Sequence, residues 1–229
     1  MTGWRREASR ALAVAGKDLT AEWRARANLN AVIAFAGVSL LLFGFALGPD
    51  AEALRGAAAG ILWLTILFSG VLAFNRSYQV ELEGGALETL LLYPGDRRAL
   101  FVGKLLANLA FVIGIELLAV PVAAVLYDLP ILRPLPGLLG VMLLGTVGFV
   151  TLGTFYAAIS SRLRAREVML PLLLFPLLVP VLIGAVEATS ALLVGDPMGD
   201  ASAWTRLLVV FDVIYLTVCV LAFEHVIEE

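Results

Sequence analysis

The sequence predicts an all-α integral membrane protein with six transmembrane helices. Of its 229 residues, 61% are hydrophobic and 15% are charged, and the mean hydropathy is +0.95, which is too apolar for a water-soluble domain. A helix needs about 20 mostly apolar residues to cross a hydrocarbon layer about 30 Å thick. Six segments meet that requirement, namely residues 29–47, 57–74, 105–127, 135–159, 169–187 and 204–223.

Residues 1–28 precede the first span and predict an amphipathic helix that lies in the headgroup plane. Apolar side chains recur there at spacings of three and four, and basic side chains occupy the other positions of the helical wheel. Such a helix buries its apolar face at the boundary and holds its cations near anionic lipid. A solvated juxtamembrane helix is the alternative. The apolar stripe consists of Trp4, Ala8, Leu12, Ala15, Leu19 and Trp23.

The basic residues predict that both termini lie in the cytoplasm. Six Lys or Arg residues precede the first span, four lie between the second and third spans, and three lie between the fourth and fifth. Only three lie on the opposite side. Cytoplasmic connections carry an excess of Lys and Arg, which gives this orientation. Residues 29–229 show no convincing internal repeat and no low-complexity linker, so we expect them to form one six-span membrane domain. The tail from Glu224 to Glu229 adds no basic residue of its own.

The connection between the second and third spans, residues 76–104, predicts a docking surface for a soluble partner, and we call it the coupling segment. Its polar first half leads into a short helix over residues 86–93, where leucines recur at helical spacing and glutamates flank them. An apolar ridge of this kind fits a groove on another protein. The residues that carry the prediction are Glu81, Glu83, Gly84, Gly85, Leu87, Glu88, Leu90, Leu91 and Pro94.

Polar residues within the spans are the other functional candidates. Glu116 and Asp212 place carboxyl groups in the hydrocarbon, where a charge costs about 2.5 to 3.5 kcal/mol on insertion scales. Glu116 is the stronger candidate, and a buried hydrogen bond, for instance to Asn108, is its structural alternative. Asn75 and Arg76 close the second span beside the coupling segment, which favours either membrane anchoring or a gating role.

Glycines and prolines predict the packing of the fourth and fifth spans. Small residues let helices approach closely, so we expect the glycines and threonines of the fourth span to pack against other helices. They are Gly140, Gly145, Gly148, Gly153, Thr146, Thr151 and Thr154. The fifth span should be kinked or broken, since Pro171, Pro176 and Pro180 remove three backbone donors. Residues 187–203 are then expected to turn back at the outer surface.

Several motifs along the chain resemble the haem exporter protein B family. They are Lys17-Asp18-Leu19, Phe43-Gly44-Phe45, Gly60-Ile61-Leu62-Trp63, Leu72-Ala73-Phe74-Asn75-Arg76, Glu81-Leu82-Glu83-Gly84-Gly85-Ala86-Leu87-Glu88, Leu90-Leu91-Leu92-Tyr93-Pro94 and Gly103-Lys104. The resemblance covers essentially the whole length. The acidic tail is the one departure, because a basic end would fit the topology better.

The resemblance implies a type-2 ABC exporter fold, in which two permease copies pair and two ATPase subunits dock below them. Residues 81–94 would then be a coupling helix inserted into a groove on the ATPase. The other partners implied are a haem-handling membrane subunit, a small accessory subunit and a periplasmic haem chaperone, working in cytochrome c maturation at the bacterial inner membrane. Haem is a candidate substrate, and no directly bound cofactor is implied.

The chain offers little for catalysis of its own. It has no glycine-rich phosphate loop ending in Lys-Ser or Lys-Thr, so ATP hydrolysis is expected in a partner subunit. Cys219 and His225 are the only residues of their types, so they cannot build a cysteine-based metal site, and His225 is better explained as an interfacial side chain than as a haem ligand. Nucleic-acid binding has no support. These absences favour a non-catalytic membrane subunit.

A proton-coupled secondary transporter is the main alternative. It would use Glu116 and Asp212 as a proton relay and the fifth span as its broken helix. The coupling segment separates the two hypotheses, because a proton-coupled carrier has no need of a docking helix.

Overall fold

Seven helices make up the part of the chain that the computed structural model describes, residues 3–24, 26–83, 97–161, 166–196 and 199–228. In chain order they are α1 (Gly3–Arg24), α2 (Arg26–Leu47), α3 (Ala51–Glu83), α4 (Arg97–Leu126), α5 (Leu135–Ser161), α6 (Arg166–Val194) and α7 (Asp200–Glu228). Strands are absent from these ranges. Each helix from α2 to α7 holds an apolar stretch long enough to span a membrane, which confirms the six-span, all-α prediction.

Polar contacts assign the helix termini to two ends of the bundle. At one end, Arg98 at the start of α4 pairs with Glu224 near the end of α7, with Nη2 and Oε2 2.9 Å apart. At the other end, Arg55 pairs with Asp128, and its Nε donates to the Asp128 carbonyl at 3.0 Å. We call the first the coupling end, since α3 ends and α4 begins there, and the second the far end.

Local capping chemistry sets the helix boundaries at the far end. The backbone N–H groups of Glu52 and Ala53 donate to Asp50 Oδ1, so Asp50 caps the start of α3. Asp196 similarly accepts from the N–H groups of Asp200 and Ala201 at the start of α7. These caps satisfy N–H groups that have no partner inside the helix, which explains why short connections suffice there.

Two spans continue into the coupling segment as helix. α3 runs past its apolar stretch to Glu83, and α4 begins at Arg97, eight residues before the expected start of the third span. No glycine or proline lies between Gly70 and Gly84, so nothing in the sequence stops α3 at the membrane boundary. The connection between these helices is therefore confined to residues 84–96, which lie outside the described residues.

The fifth span is not broken, so of its two expected shapes only the kink remains a prediction. α6 is helical without interruption from Arg166 to Val194, through Pro171, Pro176 and Pro180. Packing outweighs the lost hydrogen bonds, because one face of this helix is completely buried by its neighbours at Leu174, Leu178, Val181, Ala185 and Ala188. Glu187 accordingly lies on the helix as an exposed side chain, and the connection to α7 shrinks to residues 195–199.

Aromatic rings seated on glycines form the core contact between α3 and α5. This glycine-aromatic seam consists of Trp63, Gly70 and Phe74 on α3 with Gly145, Phe149 and Gly153 on α5. A Cβ added to any of the three glycines would lie only 2.1–2.4 Å from a ring carbon across the seam. The rings of Phe74 and Phe149 also contact each other, with centroids 5.0 Å apart. The packing role predicted for Gly145 and Gly153 is thus confirmed, whereas Gly140 faces open space.

Candidate coupling site and intramembrane polar groups

The predicted docking residues fall at the break between α3 and α4. Glu81 and Glu83 belong to the last turn of α3, and Asn75 and Arg76 lie two turns earlier on the same helix, although the structure does not describe their side chains. The rest of the ridge lies outside the described residues, namely Gly84, Gly85, Leu87, Glu88, Leu90, Leu91 and Pro94. The helices on both sides of residues 84–96 are described, and their contacts define the frame that holds this segment.

Lys104 joins three helices at the coupling end. Its side chain is completely buried, and its Nζ donates to Asp18 Oδ2 of α1 at 3.1 Å and to the Ser77 carbonyl of α3 at 2.9 Å. A buried ammonium group costs several kcal/mol of desolvation unless it is paired and hydrogen-bonded. We call this arrangement the Lys104 junction. It connects α4 both to the helix that leads into the coupling segment and to the amino-terminal helix.

Close packing beside the Lys104 junction holds α1 against α4. A Cβ at Gly103 would lie 2.7 Å from the Ala11 carbonyl, so only glycine permits this approach. Ala11 and Ala15 are buried, whereas Leu12 and Trp23 are 64% and 76% exposed. The apolar stripe of α1 is therefore divided between a face that packs on protein and a face that is open to the surroundings. Insertion of that open face into the headgroup region stays a prediction.

The Arg98–Glu224 pair gives the acidic tail a partner. Both side chains are partly exposed, so the pair contributes about 0 to 1 kcal/mol at most. The pair fixes a position, because it attaches the start of α4 to the end of α7 directly after residues 84–96. The tail therefore does not need basic residues of its own at this end. The side chain of the neighbouring His225 lies outside the described part of the chain.

Glu116 forms part of a polar contact between α4 and α5. It is 6% exposed, and the Thr146 hydroxyl donates to its Oε1. Eight residues away on each helix, Asn108 Nδ2 donates to Thr154 Oγ1 at 2.9 Å. The two contacts are matched because the helices run antiparallel and eight residues make about two turns. Asn108 and Glu116 thus find partners on α5, which supports the structural interpretation of Glu116.

Asp212 is a second buried carboxyl, and unlike Glu116 it lacks a hydrogen-bond partner among the described residues. It is 7% exposed on α7, and neither of its oxygens has a hydrogen-bond partner among the described residues. Gly148 on α5 makes room for it, since a Cβ there would lie 2.6 Å from Asp212 Oδ1. A polar group buried without a partner destabilises the fold, and such sites are often retained for function. A functional role is therefore better supported for Asp212 than for Glu116, because the hydrogen bond to Thr146 already explains Glu116.

The two carboxyls lie on opposite sides of α5. Glu116 contacts Thr146 and Asp212 contacts Gly148, two positions that are about 200° apart around a helix with 3.6 residues per turn. α5 therefore stands between them. This arrangement does not bring Glu116 and Asp212 together as a proton relay.

We expect Glu116→Gln to fold like the wild type and Glu116→Leu to be less stable. Glutamine keeps an oxygen that can accept from Thr146, whereas leucine leaves that hydroxyl without its partner at a cost of about 1–3 kcal/mol. Thermal unfolding in detergent measures the difference, and Thr146→Val should resemble Glu116→Leu. Equal stability of the Gln and Leu variants would contradict the assignment of Glu116 to this contact.

An apolar cavity of about 240 Å³ opens between α1, α2 and α4. Its lining residues are Leu19, Glu22, Trp23, Leu29, Ile33, Ala110, Phe111, Gly114, Ile115 and Leu118. None of these described side chains is a His, Met, Cys or Tyr, the usual axial ligands of haem iron. The cavity therefore supplies no group that could coordinate haem.

Comparison with known proteins identifies relatives over most of the chain. A family model described as CcmB protein matches residues 9–229. Heme exporter protein B of Rhodobacter capsulatus is 36% identical over 179 residues, covering 76% of this chain and 80% of the relative. The protein of that name from Paracoccus denitrificans is 36% identical over 185 residues (80% and 84%), and that from Escherichia coli K12 is 31% identical over 176 residues (76% and 79%).

Proposed function

The chain belongs to the CcmB family of haem exporter B proteins, and we propose that it is the membrane permease subunit of an ATP-driven complex for haem export. In this proposal the complex delivers haem to a periplasmic chaperone during cytochrome c maturation. The observation that carries it is the family match over residues 9–229, and the six-span helical fold is what a permease requires. The relatives carry the printed name heme exporter protein B.

The energy comes from a separate ATPase subunit in this proposal. That subunit binds the ridge of residues 81–94, and a second copy of the chain completes the permease. The Lys104 junction and the Arg98–Glu224 pair support the proposal, because they attach the helices on both sides of the ridge to α1 and α7. A ridge held in this way transmits displacement instead of moving independently. A haem-handling membrane subunit, a small accessory subunit and the periplasmic chaperone are the further proposed partners.

The coupling end faces the cytoplasm of a bacterial inner membrane in this proposal. Thirteen of the 16 Lys and Arg residues fall at that end by the expected topology, and the positive-inside rule assigns such an end to the cytoplasm. Contacts of α1 with Lys104 and of Glu224 with Arg98 bring both terminal helices to the same end. That placement agrees with an even number of spans.

The proton-coupled alternative has less support. Its relay would need Glu116 and Asp212 near each other, and its broken helix would need an interruption in α6. The carboxyls lie on opposite sides of α5, and α6 is continuous. The one observation in its favour is the buried carboxyl of Asp212, for which the described residues provide no hydrogen-bond partner.

Purification of the complex from native membranes tests the proposed function. We expect the tagged chain to retain an ATPase subunit in detergent, and cells that lack the chain to lose cytochrome c maturation. Haem absorbance of the preparation, measured with and without the haem-handling subunit, then reports which subunit binds haem. Two results together contradict the proposal. The tagged chain purifies without an ATPase, and cells that lack the chain still mature their c-type cytochromes normally.

A further inference from the structure

We propose that Lys104 is a positioning residue that makes α1 part of the coupling machinery. Movement that an ATPase imposes on residues 84–96 then reaches α1 through the ion pair of Lys104 with Asp18. The inference rests on the proposed function, because it requires an ATPase partner that moves residues 84–96. It gives the amino-terminal helix a role in transmission in addition to any contact with lipid.

The position of Lys104 suits this role. It lies about two turns after the start of α4 at Arg97, and Ser77 lies less than two turns before the end of α3 at Glu83. Lys104 therefore belongs to one of the two helices that frame residues 84–96 and bonds to the other through Ser77, and its second partner, Asp18, belongs to α1. Displacement of either framing helix therefore changes the surroundings of Lys104.

Burial makes the Lys104 junction stiff. Lys104 is completely buried and the Asp18 side chain is 16% exposed, so water has little access with which to replace Asp18 or the Ser77 carbonyl. The contact of Gly103 with the Ala11 carbonyl also leaves no gap between α1 and α4. The pairs Arg98–Glu224 and Arg55–Asp128 differ in this respect, because their side chains are between 34% and 85% exposed and water can substitute for a lost partner. α1, α3 and α4 are therefore expected to move together at Lys104.

The test compares Lys104→Met with Lys104→Arg in the complete complex, and Arg55→Met at the far end is the matched control. We expect Lys104→Met to insert, to retain the ATPase and to hydrolyse ATP, while cytochrome c matured per ATP hydrolysed falls about tenfold. Lys104→Arg keeps the charge and should restore that ratio to within about threefold. Arg55→Met should behave like the wild type.

A second readout reports the position of α1 itself. In a Cys219→Ala background, a cysteine introduced by Ala15→Cys should resist maleimide labelling, because Ala15 is only 6% exposed. Adding Lys104→Met should make it react. Asp18→Asn, which keeps the shape of the side chain and removes its charge, should change both readouts in the same direction.

Three results overturn the inference. One is a Lys104→Met complex whose maturation per ATP equals that of the wild type. Another is evidence that Lys104 only supports the fold, seen either as a proportional loss of ATP hydrolysis and maturation or as failure of both Lys104→Met and Asp18→Asn to accumulate. The third is failure of Lys104→Arg to restore coupling. A wild-type complex without bound ATPase, by contrast, overturns the proposed function itself.

Discussion

Leu91→Asp is expected to abolish binding of the ATPase subunit and to stop cytochrome c maturation, while the chain remains inserted in the membrane. Leu91 belongs to the apolar ridge that it shares with Leu87 and Leu90. A carboxylate placed in an apolar contact loses its hydration without gaining a partner. Central interface residues cost about 2 kcal/mol or more when altered, which is roughly a 30-fold loss of affinity. The ratio of copurified ATPase to permease measures this loss.

Thr89→Asp is the matched control for this experiment. At 100° per residue, position 89 lies about opposite the ridge, so the same carboxylate should remain in water there and leave ATPase binding intact. Leu87→Asp should behave like Leu91→Asp. Wild-type maturation in both leucine variants contradicts a docking role for the ridge. An equal loss of ATPase binding in the Thr89 variant would show that a charge anywhere in this segment is harmful, which also contradicts a specific role for the leucines.

Gly153→Val is expected to prevent stable folding of the membrane domain. A Cβ at position 153 would lie 2.1 Å from Phe74 Cε2, and Phe74 is completely buried in the glycine-aromatic seam. Overpacking of a well-filled core costs about 1–3 kcal/mol and occasionally more, because side chains and backbone must shift. Phe74 has no space into which to shift, since Phe149 packs against it. The yield of monodisperse protein and its thermal midpoint in detergent measure the effect.

Gly140→Val separates packing from helix propensity. Gly140 lies on the same helix, α5, and a Cβ there would meet nothing within 4 Å. The two substitutions change backbone freedom alike, so the control should keep a thermal midpoint near that of the wild type. A Gly153→Val protein as stable as Gly140→Val contradicts the seam as the core contact of α3 and α5.

The six spans could be predicted from sequence because apolar length is a local property. Helix limits were harder to predict, since α3 continues past its apolar stretch from Asn75 to Glu83 as a polar helix that hydropathy does not register, and α4 begins eight residues before the expected span. In α6, the prolines allow either a kink or a break by local chemistry alone. The break is excluded because the helix is continuous, with one face packed against its neighbours.

The candidate site depends on contacts that sequence does not reveal. Lys104 and Asp18 are 86 residues apart, and only the assembled bundle brings them together. The signal in the sequence is a lysine next to Gly103 within an otherwise apolar stretch. It indicates that the charge is paired but does not identify the partner. Glu116 illustrates the same limit, because its polarity was evident while its contact with Thr146, rather than Asn108, follows from helix packing.

Residues 84–93 are proposed to receive force from the nucleotide cycle of another protein, and site-specific photocrosslinking from position 91 tests whether they contact it. A photoreactive amino acid in place of Leu91 is activated in intact cells, with position 89 as the comparison. We expect a covalent adduct between position 91 and an ATPase subunit, with little or none from position 89. Adducts only with lipid, or labelling of position 91 by a reagent confined to the periplasm, would contradict it.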